Sequence, residues 1–188
     1  PDNPQAIRSL NEFELASRLS FFLWGSQPDD QLLKYAHNGQ LRKNMVKEVG
    51  RMLKGVRAQS FVENFAGQWL ELRNLEVYQP DKKLFPAFTP ALRNDMRQET
   101  ELLFAHIMRG NRSVLELLSA DYSFVNARLA AHYGIEGVQG EKFRSVSMRG
   151  TSRGGILGHA SILTITSDPN RTSPVKRGKY VLENILGT

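Results

Sequence analysis

No cysteine occurs anywhere in the 188 residues. Disulfides, cysteine-ligated zinc, iron–sulfur clusters and a covalently attached c-type haem are therefore excluded within this chain. Long apolar runs are missing too. The longest stretches, Leu19 to Trp24 and Ile156 to Ile165, are short and interrupted by Ser, Gly or His, against the roughly 20 apolar residues a membrane span needs. Histidine is scarce: His37, His106, His132 and His159 are the 4 present. None stands in a Glu-x-x-His or His-Glu-x-x-His arrangement, so neither a helical di-iron site nor a zinc-protease site is written here. A Gly-rich phosphate loop is also absent, and Gly154-Gly155 reads as a turn. No charged-then-apolar leader stands at Pro1. The chain stops at Gly187-Thr188 directly after a strong helix end, which favours a piece excised from a longer protein.

What is present suits a folded domain. The hydrophobic fraction of 40% with 23% charged residues is too apolar for disorder. A chain of this length buries about 70% of its unfolded surface and needs no disulfide or metal to hold it. The formal charge of +6 is unevenly spread. Residues 1–139 hold 17 Lys and Arg against 16 Asp and Glu, whereas residues 140–188 hold 8 against 3. An acidic partner would therefore meet the C-terminal segment.

Helical periodicity dominates. Ser9-Leu10-Asn11-Glu12 has capping-box spacing, and Leu15, Leu19, Phe22 and Leu23 repeat on one face until Gly25. Pro28-Asp29-Asp30 to Asn38-Gly39, Leu41 to Leu53 and Val56 to Leu72 give three more helices. Prolines 80, 86 and 90 mark a break. Thr89-Pro90 then opens the longest helix, Ala91 to Arg109, and shorter ones are expected at 114–118 and 125–133. Phe143 to Met148 alternates like a strand, Ile156 to Thr166 reads as helix, and Ser173-Pro174 starts the last helix. The expected fold class is all-α: a multi-helix bundle with short connections and at most one short strand or hairpin near 143–148. Residues 1–78 form a four-helix part, and residues 79–188 a long-helix part with a basic C-terminal segment, together one compact domain.

The densest polar constellation is Asn170 to Gly178. A helix start there offers free N–H groups, the hydroxyls of Thr172 and Ser173, and the cations Arg171, Lys176 and Arg177, a combination suited to an anion. Ser173-x-x-Lys176 also matches the nucleophile motif of penicillin-binding proteins and serine β-lactamases. However, Lys-Thr-Gly is missing and Ser167-Asp168-Pro169-Asn170 is not Ser-Asp-Asn. Only Phe143 and Tyr180 lie near the basic cluster as base readers, which speaks against nucleic acid.

Several stretches together resemble one family: Glu14 to Trp24, Phe61 to Leu70, Ala120 to Asn126, Leu129 to Gly134, and Thr172 to Gly178. They resemble the helical domain of unknown function found in large exported planctomycete-type proteins related to c-type cytochromes, over about Leu10 to Gly187. The resemblance implies a scaffold half, without cofactor of its own, that packs against a downstream haem-bearing half of the same exported protein. It implies no catalytic residue. The partner-facing set would be Arg171, Thr172, Ser173, Lys176 and Arg177, with a haem propionate as one anion they could meet and His159 as a candidate haem-proximal residue. The alternative is a stand-alone binding module whose basic C-terminal face takes an anionic ligand or nucleic acid.

Overall fold

The computed structural model describes residues 9–188. It divides into a unit ending at Phe61 and a unit running Val62–Thr188, earlier than the proline-rich stretch at which the sequence suggests a boundary.

The first unit holds α1 (Glu12–Trp24), α2 (Asp30–His37), α3 (Leu41–Lys54), a 3-10 turn (Val56–Ala58) and a short α4 (Gln59–Phe61). The capping box at its start is not built on Ser9. Asn11 is the N-cap, with Asn11 Oδ1 accepting from Glu14 N at 2.8 Å and Glu14 Oε2 accepting from Asn11 N at 2.9 Å. The same reciprocal chemistry operates two residues later than the spacing predicted, because Asn caps as well as Ser and Glu14 stands at N3. Leu15, Leu23, Leu32, Leu41 and Met52 form the buried apolar side.

A polar cluster sits among them. Arg51 grips Asp29 with both terminal nitrogens, at 2.8 and 3.1 Å, and Glu48 through Nε at 2.8 Å. Gln31 covers the other Glu48 oxygen at 2.7 Å. Trp24 donates to the Met52 carbonyl at 3.1 Å and lies under the Arg57 guanidinium, 4.2 Å from ring centre to Cζ. Burial would raise the Asp29 carboxyl, but hydrogen bonds from Arg51 and from Leu32 N–H outweigh it and hold the pKa below its ordinary value.

The second unit opens with a π-helical segment, Val62–Ala66, and α5 (Gly67–Trp69), then α6 (Asn74–Val77). The single helix expected from Val56 to Leu72 is thus a series of short, differently wound pieces. Next comes α7 (Pro90–Arg109), capped as expected by Thr89 Oγ1, which accepts from Leu92 N at 3.2 Å. It is followed by α8 (Glu116–Ser119), β1 (Tyr122–Val125), α9 (Ala127–Tyr133) and β2 (Arg144–Ser147). A 3-10 turn (Ile156–Gly158), α10 (Ala160–Ile165), β3 (Ser167–Asp168), β4 (Arg171–Thr172), α11 (Pro174–Tyr180) and a π-helical Val181–Ile185 complete it.

The chain is mostly helical rather than all-α. β2 falls where alternation predicted a strand, but it pairs antiparallel with β1, in the register Ser123↔Val146 and Val125↔Arg144. A helix had been expected from Val125, and β1 was not expected at all. Its pattern is inverted: Ser123 and Val125 point inward while Tyr122 and Phe124 stay half exposed, so the usual apolar-in alternation is not legible. A second two-residue ladder joins β3 to β4, in the short stretch between the last two expected helices.

The core of this unit packs Leu92 and Met96 of α7 against Val125, Leu129, Met148 and Ala160. The last helical segment is tied back by Tyr180, whose hydroxyl donates to the Leu70 carbonyl at 3.1 Å, and by Trp69, which donates to the Asn184 carbonyl at 2.6 Å.

Candidate functional site

Two features of the second unit concentrate chemistry: a buried polar network and an open cleft. The network starts on α7. Leu92, Met96, Leu103 and Ile107 follow helical spacing on its buried side, and Glu99, which is fully buried, interrupts that apolar stripe. Ser123 Oγ donates to Glu99 Oε1 at 2.6 Å, and the Tyr133 hydroxyl donates to Glu99 Oε2 while accepting from Ala160 N at 2.8 Å. His159, 3% exposed, caps α10. Its Nδ1 lies 2.9 Å from Thr100 Oγ1 and its Nε2 lies 3.3 Å from Ser123 Oγ. Ser161 Oγ completes the chain, 2.7 Å from Thr100 Oγ1.

Counting protons fixes a direction when Glu99 is ionised. Ser123 gives its only proton to the carboxylate, so it accepts from His159 Nε2–H. Nδ1 is then the acceptor for Thr100, and Thr100 accepts from Ser161.

Burial disfavours charge in this centre. Burial pushes the Glu99 carboxyl up to about 7, against the hydrogen bonds from Ser123 and Tyr133 and the nearby Arg153 charge. Burial, then Arg153, push His159 down to about 3. Glu99 Oε1 and His159 Nε2 are 3.8 Å apart. That is too far for a hydrogen bond, and a neutral imidazole makes the contact no ion pair. Gly155 lets this arrangement close. At φ +54° it turns the chain against α8, where a Cβ would collide with the Leu118 carbonyl oxygen. The space among Glu99, Ser123, Gly155 and His159 has no room for a water-sized group. Ser123, His159 and Glu99 therefore hold elements together and are not presented to a substrate.

The cleft is different: about 370 Å³ and open to solvent. Leu84, Phe85, Phe88, Met96 and Leu163 supply an apolar lining, while Arg153, Asp168, Arg171 and Arg177 supply charge and His132 an imidazole. Arg153 touches both features. It lines the cleft and the network's small space, stacks over Tyr133 at 3.9 Å and donates through Nη1 to the Gly158 carbonyl at 2.8 Å. Burial, then Arg153, lower the His132 pKa.

Of the residues singled out in the sequence, Arg171, Thr172 and Arg177 line this cleft, and Ser173 and Lys176 do not. Asp168 binds two of the cations, Lys176 Nζ at 2.7 Å and Arg171 Nε at 3.3 Å. Its pKa is lowered, first by the Lys176 hydrogen bond. Ser173 is an N-cap whose Oγ accepts from Lys176 N at 3.4 Å. With the Lys176 ammonium on Asp168, no base is aimed at Ser173, and the nucleophile motif is a capped helix start. Arg177 donates through Nη2 to Ser167 Oγ at 3.4 Å, and its buried Nε has no hydrogen-bond partner. His159 is buried with both ring nitrogens engaged.

Sequence reading missed Glu99, Thr100, Ser123, Tyr133 and Arg153. The one available signal was an acid at position 99 inside the apolar stripe of the longest helix. Among the described residues no three His, Asp or Glu side chains are grouped to hold a metal, and no helix is long and apolar enough to cross a membrane.

Fold and site together define a mostly helical domain with a neutral buried polar core and an open amphipathic cleft. The chain belongs to the family described as PSD4, protein of unknown function (DUF1592), whose model matches residues 10–135. Residues 153–188 are similar to a second family, PSCyt3, protein of unknown function (DUF1588). No curated protein and no solved structure matches the chain. The two matched stretches are interlocked: Glu99, Ser123 and Tyr133 belong to the first, His159 and Ser161 to the second.

Proposed function

We propose that this chain is a non-catalytic helical scaffold domain of an exported, multidomain protein related to c-type cytochromes, and that it packs against a haem-bearing domain of that protein. The reading is carried by the last helical segment. Val175, Leu182 and Leu186 recur on one face at seven- and four-residue spacing, and they are 82%, 52% and 62% exposed. Lys176 and Lys179 of α11 keep their side chains largely in solvent. An open apolar stripe bordered by cations has the make-up of an interface with an apolar centre and a polar rim. The haem would belong to the neighbour, since this chain has no cysteine to bind it covalently. His159 takes no part, because Thr100 and Ser123 hold its nitrogens. Nucleic acid is a poorer occupant, because Asp168 already draws on two of the cations a polyanion would use.

The test is to produce the native full-length protein in a host that matures c-type haem and record its visible spectrum. A Soret band is expected. With the band present, Val175→Glu together with Leu182→Glu should leave the haem attached yet make this domain separable by limited proteolysis. A full-length protein without haem ends the proposal, as does one whose domains stay equally resistant in the double variant.

A further inference from the structure

The cleft of the second unit has a chemistry that the docking proposal does not use. Its apolar side chains are held open to water: Leu84 and Phe85 are 58% and 47% exposed although they line a concavity. At about 370 Å³ the space falls in the range that holds small organic ligands. Charge at its mouth is positive and incompletely matched. Asp168 is engaged by Arg171 and Lys176, whereas Arg153 donates to a backbone carbonyl and Arg177 to a hydroxyl. Arg177 also keeps a buried Nε–H without an acceptor. Its guanidinium lines the cleft and is held there by one hydroxyl at 3.4 Å, so it can still give a charge-assisted bond to an anionic acceptor. The same Asp168 disfavours a multiply charged head group through like-charge repulsion.

We propose that this cleft binds an amphipathic monocarboxylate, its head at Arg177 and Arg153 and its apolar body along Leu84, Phe85, Phe88 and Leu163. The inference is independent of any haem-bearing neighbour. It needs neither the exposed stripe of the last helix nor a second domain.

The experiment titrates the chain with dodecanoate, dodecanol and dodecyltrimethylammonium, each below its aggregation concentration, by calorimetry. Dodecanoate is expected to bind much more tightly than the other two. Arg177→Ala should weaken it by about tenfold or more, as loss of one charge-assisted bond implies. Arg144→Ala should leave it unchanged, because Arg144 is exposed, bonded to the Gln139 carbonyl and outside the cleft. A second readout needs no variant. His132 lines the same cleft, so a bound carboxylate should raise its pKa, followed by NMR. Equal binding of the carboxylate and the ammonium overturns the proposal. So does no binding of dodecanoate, wild-type affinity in Arg177→Ala, or a His132 titration unmoved at saturation. Should Arg177→Ala fail to fold, the ligand comparison and the His132 titration decide between the same outcomes.

Discussion

The two units bury acid groups in opposite ways. In the unit ending at Phe61, Glu48 and Asp29 are met by a full positive charge, Arg51, which bonds both. In the unit from Val62, Glu99 is met by the hydroxyls of Ser123 and Tyr133 with a neutral imidazole 3.8 Å away. The first solution matches carboxylates with a guanidinium and depends on that one cation. The second avoids buried charge and spreads the dependence over six side chains. Charge pairing should thus fail abruptly when its cation is removed, and the neutral network should fail gradually but respond to pH.

The largest effect is expected from Arg51→Ala. Glu48 is fully buried, and a buried carboxylate stripped of its partner typically costs about 3–5 kcal/mol. Urea denaturation followed by circular dichroism should show that loss. Arg51→Lys should recover only part of it, because an ammonium cannot reproduce the bidentate grip on Asp29 while reaching Glu48. A loss within error for Arg51→Ala would mean that the ion-pair cluster is decorative.

Glu99→Gln probes the second solution through pH. The folded pKa of Glu99, about 7, lies above the ordinary value of 4.5, so between those values the folded state binds the extra proton and rising pH destabilises it. His159 works the other way. Its folded pKa of about 3 lies below 6.5, so over that range the unfolded state binds the extra proton and stability grows as pH rises. From pH 4.5 to 6.5 the two slopes cancel, and the pair contributes a plateau. Glu99→Gln removes only the destabilising slope. The stability of the variant minus that of wild type should climb by roughly 3 kcal/mol between pH 4.5 and 7. A flat difference curve would mean that Glu99 titrates normally. The same centre predicts His159 as the Nε2–H tautomer above pH 7, readable in its ring nitrogen shifts.

A smaller loss, about 2 kcal/mol, is expected for Tyr133→Phe, which deprives Glu99 Oε2 and the Ala160 N–H of one partner. The ring under Arg153 is kept, so the change isolates the hydroxyl. Urea midpoints at pH 6 should show a loss clearly below that of Arg51→Ala.

What was legible in the sequence was local. Thr89-Pro90 and Ser173-Pro174 announce helix starts because the N-cap hydroxyl and the first-turn proline act within four residues. Asn38-Gly39, Gly110 and Gly134 announce ends for the same reason. What was illegible is set by partners far along the chain. β1 reads as neither strand nor surface until β2, some twenty residues on, is laid beside it and Ser123 finds Glu99. His159 reads as a ligand candidate until Thr100 and Ser123 take both nitrogens. Family matching divides the chain at 135 and 153, yet hydrogen bonds knit the two sides into one unit, so sequence families and structural units need not share borders.

The smallest stability effect is expected at the basic cluster itself. The sequence counted Arg171 and Lys176 as free positive charge, but the β3–β4 ladder places Asp168 opposite Arg171, within reach of both. Arg171 and Lys176 stand largely in water and Asp168 is partly exposed, a setting in which ion pairs contribute little. Asp168→Asn should therefore leave the urea midpoint unchanged within error. It should nevertheless act on the cleft, because among the described residues it removes the one carboxylate lining the rim and frees Arg171, which lines it too. Dodecanoate affinity should rise by a few fold, and the gain should shrink with added salt as expected for exposed charges. Unchanged affinity would place the ligand head away from Asp168 and return the cationic cluster to the role of a solvated helix start.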